Sequence, residues 1–190
     1  MGKALKEWLR ALIGALAILF IINLFVSTTT VVNTSMVPTL LEKDMLLLSK
    51  VSPIQRGDIV TFHSDLIITE SDRQGLDPLK RLFVRVGQPK ILIKRVIGLP
   101  GEQVDIQDGK VYIDGHLLDE SIYLDVETMG DLHLDRIPDD QFFLMGDNRA
   151  FSMDSRSSSV GLVEKKDITG KAVLRYFPLS RLSFFKEVYP

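Results

Sequence analysis

Lys94 stands in the run Ile91-Leu92-Ile93-Lys94-Arg95-Val96-Ile97. In an extended strand side chains alternate between faces. Leu92, Lys94 and Val96 then share one face, and Ile91, Ile93, Arg95 and Ile97 share the other. Both faces are mostly apolar, the pattern of a strand buried on both sides. A buried ammonium costs several kcal/mol, and the group relieves that cost by losing its proton. Full burial lowers a lysine's pKa by up to about 3–5 units, and a neutral lysine is a usable general base. The same pattern also suits a lysine that snorkels to a sheet edge or pairs with a carboxylate, and strand periodicity alone does not choose between them.

A nucleophile for such a base is available at Ser35, in Asn33-Thr34-Ser35-Met36-Val37-Pro38-Thr39-Leu40. Pro38 breaks regular structure there. A serine in a non-helical connection can expose its hydroxyl and bring backbone N–H groups to an oxyanion hole. Serines in loops are common, so this is weak evidence taken alone. Gly146-Asp147-Asn148-Arg149, with Ser152, Asp154, Ser155 and Arg156, forms a dense polar cluster after an apolar run. Turn geometry and ordinary ion pairing also explain such a cluster.

The elements that must position these groups read as short strands. Apolar runs occur at 45–48, 59–62, 83–86, 91–97, 104–106, 111–113, 142–145 and 172–177. Asp108-Gly109 and Asp114-Gly115 mark tight turns. This spacing predicts an all-β sandwich or barrel without an amphipathic helix of useful length. Ser64–Leu82 and Ser121–Arg136 read as surface loops.

The N-terminal segment is different. Ala11–Val26 is apolar except for Asn23, and the uncharged Ser27–Thr30 follows. About 20 residues at 1.5 Å each span a bilayer's hydrocarbon core, so 11–30 is expected to be a transmembrane anchor. Lys3, Lys6 and Arg10 would keep residues 1–10 cytoplasmic, with 31–190 as an extracytoplasmic β domain. A cleaved secretory signal is the main alternative, but a small-x-small cleavage site ending in Ala is missing. A buried core helix fits less well, since the segment is apolar on all sides.

The chain has 190 residues, 23 basic and 25 acidic, and a net charge of −2, which gives no sign of a nucleic-acid partner. It has no cysteine, which excludes disulfides, cysteine–zinc sites and a cysteine nucleophile. His63, His116 and His133 are isolated, so neither a metal site nor a Ser-His-Asp triad is expected, and no cofactor is called for. The sequence sets no oligomeric state.

Taken together, four ordered blocks resemble the type I signal peptidase family, in its compact Gram-positive-like form. They are Ser35–Leu40, Arg56-Gly57-Asp58-Ile59-Val60, Lys94-Arg95-Val96-Ile97-Gly98-Leu99-Pro100-Gly101-Glu102, and Gly146–Arg149 with Ser152, Asp154, Ser155 and Arg156. The resemblance implies an all-β coiled sheet and barrel shared with LexA-like repressors, one N-terminal transmembrane helix, and a smaller β-ribbon insertion at about 102–140. It implies a plasma-membrane protease that removes signal peptides from preproteins after small residues, in an Ala-x-Ala-like pattern. Ser35 would be the nucleophile, with its own N–H as an oxyanion donor, and Lys94 the base. Ser152 would orient the lysine, and Asp154 and Arg156 would brace the site. Met36, Leu40, Leu92 and Ile93 would line shallow substrate pockets, with the substrate extended beside the Lys94 strand. Asn33 stands where many members have Ser, Thr or Gly, and its amide N–H groups would complete the oxyanion hole. Two other readings weigh less: a LexA-like self-cleaving regulator, which would need a DNA-binding or partner domain, and an anchored β domain that only binds a partner.

Overall fold

The computed structural model describes residues 2–74, 76, 81–186 and 188–189; Gly75 and Pro78 of the expected Ser64–Leu82 loop lie outside them. One long helix, α1 (Gly2–Phe25), precedes a mostly β body. Its strands are β1 (Val26–Thr30), β2 (Met45–Ser49), β3 (Ile59–Ile67), β4 (Pro89–Gly98), β5 (Val104–Gln107), β6 (Lys110–Ile113), β7 (His116–Leu117), β8 (Leu132–Leu134), β9 (Gln141–Met145), β10 (Val163–Glu164), β11 (Ile168–Phe177) and β12 (Ser183–Phe184). Among the described residues the body also carries the short helix α2 (Glu70–Gln74) and two 3₁₀ turns.

The helix stops short of the expected Thr30. Val26–Thr30 is Val-Ser-Thr-Thr-Thr, rich in β-branched residues that favour strands, and all five pair antiparallel with β2. Lys50 ends the helix cleanly: its Nζ donates to the Asn23 carbonyl at 2.7 Å and its N–H to the Phe25 carbonyl at 2.8 Å. A cation is favourable at that helix end. Leu5–Phe25, 21 residues with mean hydropathy 2.1, is long and apolar enough to cross a membrane, and none of that span is buried in the body.

The larger sheet has the order β1-β2-β11-β3-β4-β9-β10, with β12 on β11. A single row of cross-strand neighbours runs Val26, Ser49, Lys171, Val60, Lys94. Four strand spacings of about 4.8 Å put Lys94 roughly 19 Å across the sheet from the residue that follows α1. The strand directions set what lies on either side of this row. Pro89–Ile93 and Thr61–Ile67 extend on the α1 side, whereas β9 pairs with β4 only from Arg95 to Gly98 on the other. The Pro89–Lys94 edge opposite β3 therefore has no strand partner among the described residues.

The second sheet, β7-β6-β5-β8, spans 104–134 and follows the far end of β4. Its two tight turns place Asp108-Gly109 and Asp114-Gly115 at positive φ, as two-residue hairpins require. It packs on β4 and β9 through Ile97, Val104, Ile106, Val111, Ile137 and Phe143. Three sequence expectations shift. Residues 83–86 form a turn rather than a strand, with Phe83 exposed. The loop beginning at Ser64 starts inside β3, and the loop at 121–136 contains β8. In each case cross-strand pairing, which a local pattern does not contain, fixed the outcome.

Candidate active site

The segment between β1 and β2 folds back on itself. Val31 N–H bonds the Asp44 carbonyl at 2.9 Å, and Lys43 N–H bonds the Val31 carbonyl at 2.8 Å. Within it Leu40 N–H bonds the Met36 carbonyl at 2.8 Å. Met36 and Leu40 sink into a core of Val31, Leu46, Leu48, Ile59 and Ala172, so the turn carrying Ser35 is pinned by its apolar neighbours. Asn148 fastens it from the opposite side: its N–H donates to the Ser35 carbonyl and its Nδ2 to the Thr34 carbonyl, both at 3.0 Å.

Lys94 reaches this turn from β4. It is only 1% exposed, and its Nζ lies 2.8 Å from Ser35 Oγ and 3.1 Å from the Ile93 carbonyl. Ser35 itself is buried. Burial is the main reason the lysine pKa falls from 10.5 to about 8. Asp154 and Asp147 pull it upward, and Arg156 pushes it down. Neither carboxylate forms a salt bridge with Lys94 among the described residues; each is claimed by an arginine.

Those arginine pairs frame the dyad. Arg156 grips Asp154 through Nε and Nη2, both at 2.9 Å, and Asp154 accepts the Gly146 N–H at 3.0 Å. Arg95, next to the lysine, grips Asp147 through Nε at 2.8 Å and Nη2 at 2.6 Å. Asp147 also accepts the Thr39 hydroxyl, which ties it to the serine turn. Arg95 Nη1 donates to the Gly57 carbonyl at 2.7 Å, and its guanidinium lies 3.9 Å from the Tyr123 ring centroid. Arg149 pairs with Glu120 and bonds Thr128. Every member of this buried charged network has a partner, the condition for such a network to be tolerated.

The family model "Signal peptidase, peptidase S26" matches residues 5–177. The chain belongs to this signal peptidase family. It is 38% identical over 182 residues to a Synechocystis sp. protein described as probable signal peptidase I-1, covering 93% of this chain and 85% of that one. It is 31% identical over 195 residues to signal peptidase I P of Bacillus subtilis subsp. natto, covering 95% and 93%. A crystal structure of a signal peptidase I from Enterococcus faecalis aligns at 26% identity and a TM-score of 0.46, covering 64% of this chain and 97% of that one.

Of the site residues expected from the signal peptidase blocks, Ser35, Lys94, Asp154 and Arg156 come together. Ser152 comes close without the expected bond to Lys94. Its Oγ is buried and makes no hydrogen bond, although its nearness to Asp154 helps lower that carboxyl's pKa. Asn33 differs too. Its Oδ1, not its amide nitrogen, faces the serine, accepting from Ser35 Oγ at 3.0 Å and from Ser35 N–H at 3.4 Å. In this state the amide occupies the backbone donor expected for the oxyanion. Met36, Leu40, Leu92 and Ile93 do not form one pocket surface. Met36 and Leu40 are fully buried, and Ile93 packs on their cluster. Leu92 faces the opposite core of Val60, Phe62, Val96 and Phe142, because adjacent strand residues point apart. His63 and His116 are exposed, and His133 pairs with Asp105 and Asp135 on the small sheet.

Sequence reasoning gave no role to Arg95, Asp147, Asn148 or Gly146, although all lie inside the quoted blocks. A β-carbon on Gly146 would sit 2.2 Å from Ser152 Oγ and 2.4 Å from the Ser35 carbonyl oxygen. Only glycine lets the chain leaving β9 pass this close behind the serine. Arg56 of the second block serves the lysine strand as well, bonding the Ile97 carbonyl at 2.5 Å and Glu102 at 2.6 Å.

Proposed function

We propose that the chain is a membrane-anchored serine endopeptidase that removes signal peptides from translocated preproteins after small residues, in an Ala-x-Ala-like pattern. The observation that carries this reading is the 2.8 Å contact between the buried Lys94 nitrogen and Ser35 Oγ. Neutral Lys94 takes the Ser35 proton as Oγ bonds to the scissile carbonyl carbon. The resulting ammonium returns that proton to the leaving amine as the C–N bond breaks, leaving an ester on Ser35. Lys94 then deprotonates a water that hydrolyses the ester. The arginine-held Asp154 and Asp147 keep the lysine strand and the serine turn in register, so the reacting atoms start near attack distance. The Asn33 amide, turned by half a rotation, would present Nδ2 to the oxyanion and free the Ser35 N–H for the same task.

The unpartnered Pro89–Lys94 edge suits an extended substrate held by main-chain hydrogen bonds, with Ile93 beside its small side chains. α1 would anchor the chain with residues 1–10 cytoplasmic and the body from about residue 31 outside the plasma membrane. Ile67, Leu82, Phe83 and Val86, all exposed near the α1 side of the sheet, suit a body that rests near the lipid surface. Residues 31–190 form the catalytic domain in this reading, with 102–140 as a ribbon insertion, in a coiled sheet and barrel of the LexA-like kind. The test is preprotein cleavage by wild type, Ser35→Ala and Lys94→Ala, each checked for folding. Loss in both supports the dyad, whereas full activity in either variant removes that residue from the mechanism.

A further inference from the structure

An open cleft of about 430 Å³ lies beyond the dyad, between the small sheet and the loop that follows β9. Its volume falls within the roughly 300–1,000 Å³ of ligand pockets. Ile106, Leu132 and Met129 line one wall, Ala150 and Ser152 the other, and Asp131 is also in the lining. Neither Ser35 nor Lys94 lines it. Ser152 joins the two places: its hydroxyl and the Ser35 carbonyl both lie within 2.5 Å of the point where a β-carbon on Gly146 would sit.

The strand register says which half of a substrate could reach this cleft. The open edge of β4 extends from Lys94 toward the α1 side, while β9 and the small sheet lie on the far side. A signal peptide is held in the bilayer, so its half of the substrate must come from the α1 side. The mature half must then leave in the other direction. We propose that the cleft between Met129–Leu132 and Ala150–Ser152 is a subsite for the first residues of the mature chain, those directly after the scissile bond. This rests on the signal-peptidase reading and adds a second specificity surface to it. The lining is apolar on the Leu132 side. Arg149, Asp154 and Arg156 also line it, but Arg149 is paired with Glu120 and Arg156 with Asp154, whereas Asp131 is exposed, so the cleft admits neutral side chains and disfavours acidic ones.

The experiment uses the full chain in detergent micelles and a peptide panel with one fixed signal half. The first two mature residues vary among Gly-Gly, Ala-Ala, Phe-Phe and Asp-Asp. Ala150 and Asp131 are exposed and outside the dyad network, so Ala150→Trp and Asp131→Lys are suitable variants. Ala150→Trp is expected to lower kcat/KM for Phe-Phe by about tenfold while leaving Gly-Gly within about twofold, the scale on which pockets discriminate side chains. Asp131→Lys is expected to raise Asp-Asp cleavage relative to Ala-Ala. Equal changes across the panel, or none in either variant, would overturn the subsite. A wild type that cuts no member would instead overturn the protease reading.

Discussion

Replacing Lys94 by methionine should make the protein inactive and, near neutral pH, more stable. The amine's pKa is about 8 in the folded chain against an ordinary 10.5, and each unit corresponds to about 1.4 kcal/mol. Carrying the buried cation therefore costs the fold about 3 kcal/mol below pH 8. The unfolded chain binds this proton more tightly, so the cost shrinks as pH rises from 8 and is gone above about 10.5. Methionine fills similar space without a charge. It forfeits the bonds to Ser35 Oγ and the Ile93 carbonyl, together about 1–2 kcal/mol. The net gain at pH 7 is about 1–2 kcal/mol, roughly 2–8 °C in Tm for a chain of this size. At pH 10.5 only the loss remains, and the variant becomes the less stable protein. Thermal unfolding of both full chains in micelles, followed by near-ultraviolet circular dichroism from pH 6 to 10.5, should give stability curves that cross. A variant destabilised equally at both ends of that range would refute the claim that burial strips the proton from Lys94.

Three further outcomes can be checked. Because the general base must be neutral, kcat/KM should rise about tenfold between pH 7 and 9 as Lys94 titrates near 8; a flat profile there would place the base elsewhere. Gly146→Ala should force Ser35 and Ser152 apart and lower kcat about 100-fold, in protein whose circular dichroism still reports the β fold; unchanged kcat would mean that β9 does not hold the serine turn. Removing Gly2–Phe25 should slow processing of liposome-held preproteins at least about tenfold through lost effective concentration, while short soluble peptides are cut at the full-chain rate; equal rates on both substrates would rule out the tether.

How far the sequence reached can be judged from individual residues. The apolar N-terminal helix, the two Asp-Gly hairpins and the burial of the Lys94 strand follow from local periodicity and turn chemistry, because each is decided within about ten neighbouring residues. The four blocks identified the pairing of Ser35 with Lys94, although 59 positions separate them. Other features depend on contacts between distant segments, which local patterns do not encode. Val26–Thr30 leaves the helix because β2 is there to pair with it. Arg95 is satisfied only because Asp147 arrives from 52 residues away. Leu92 and Ile93 are neighbours in sequence but serve opposite cores. The cleft beyond Ser152 exists because the small sheet folds back beside the loop after β9. Residue types set which groups can do the chemistry; long-range packing decides what each one faces and which directions remain open to a substrate.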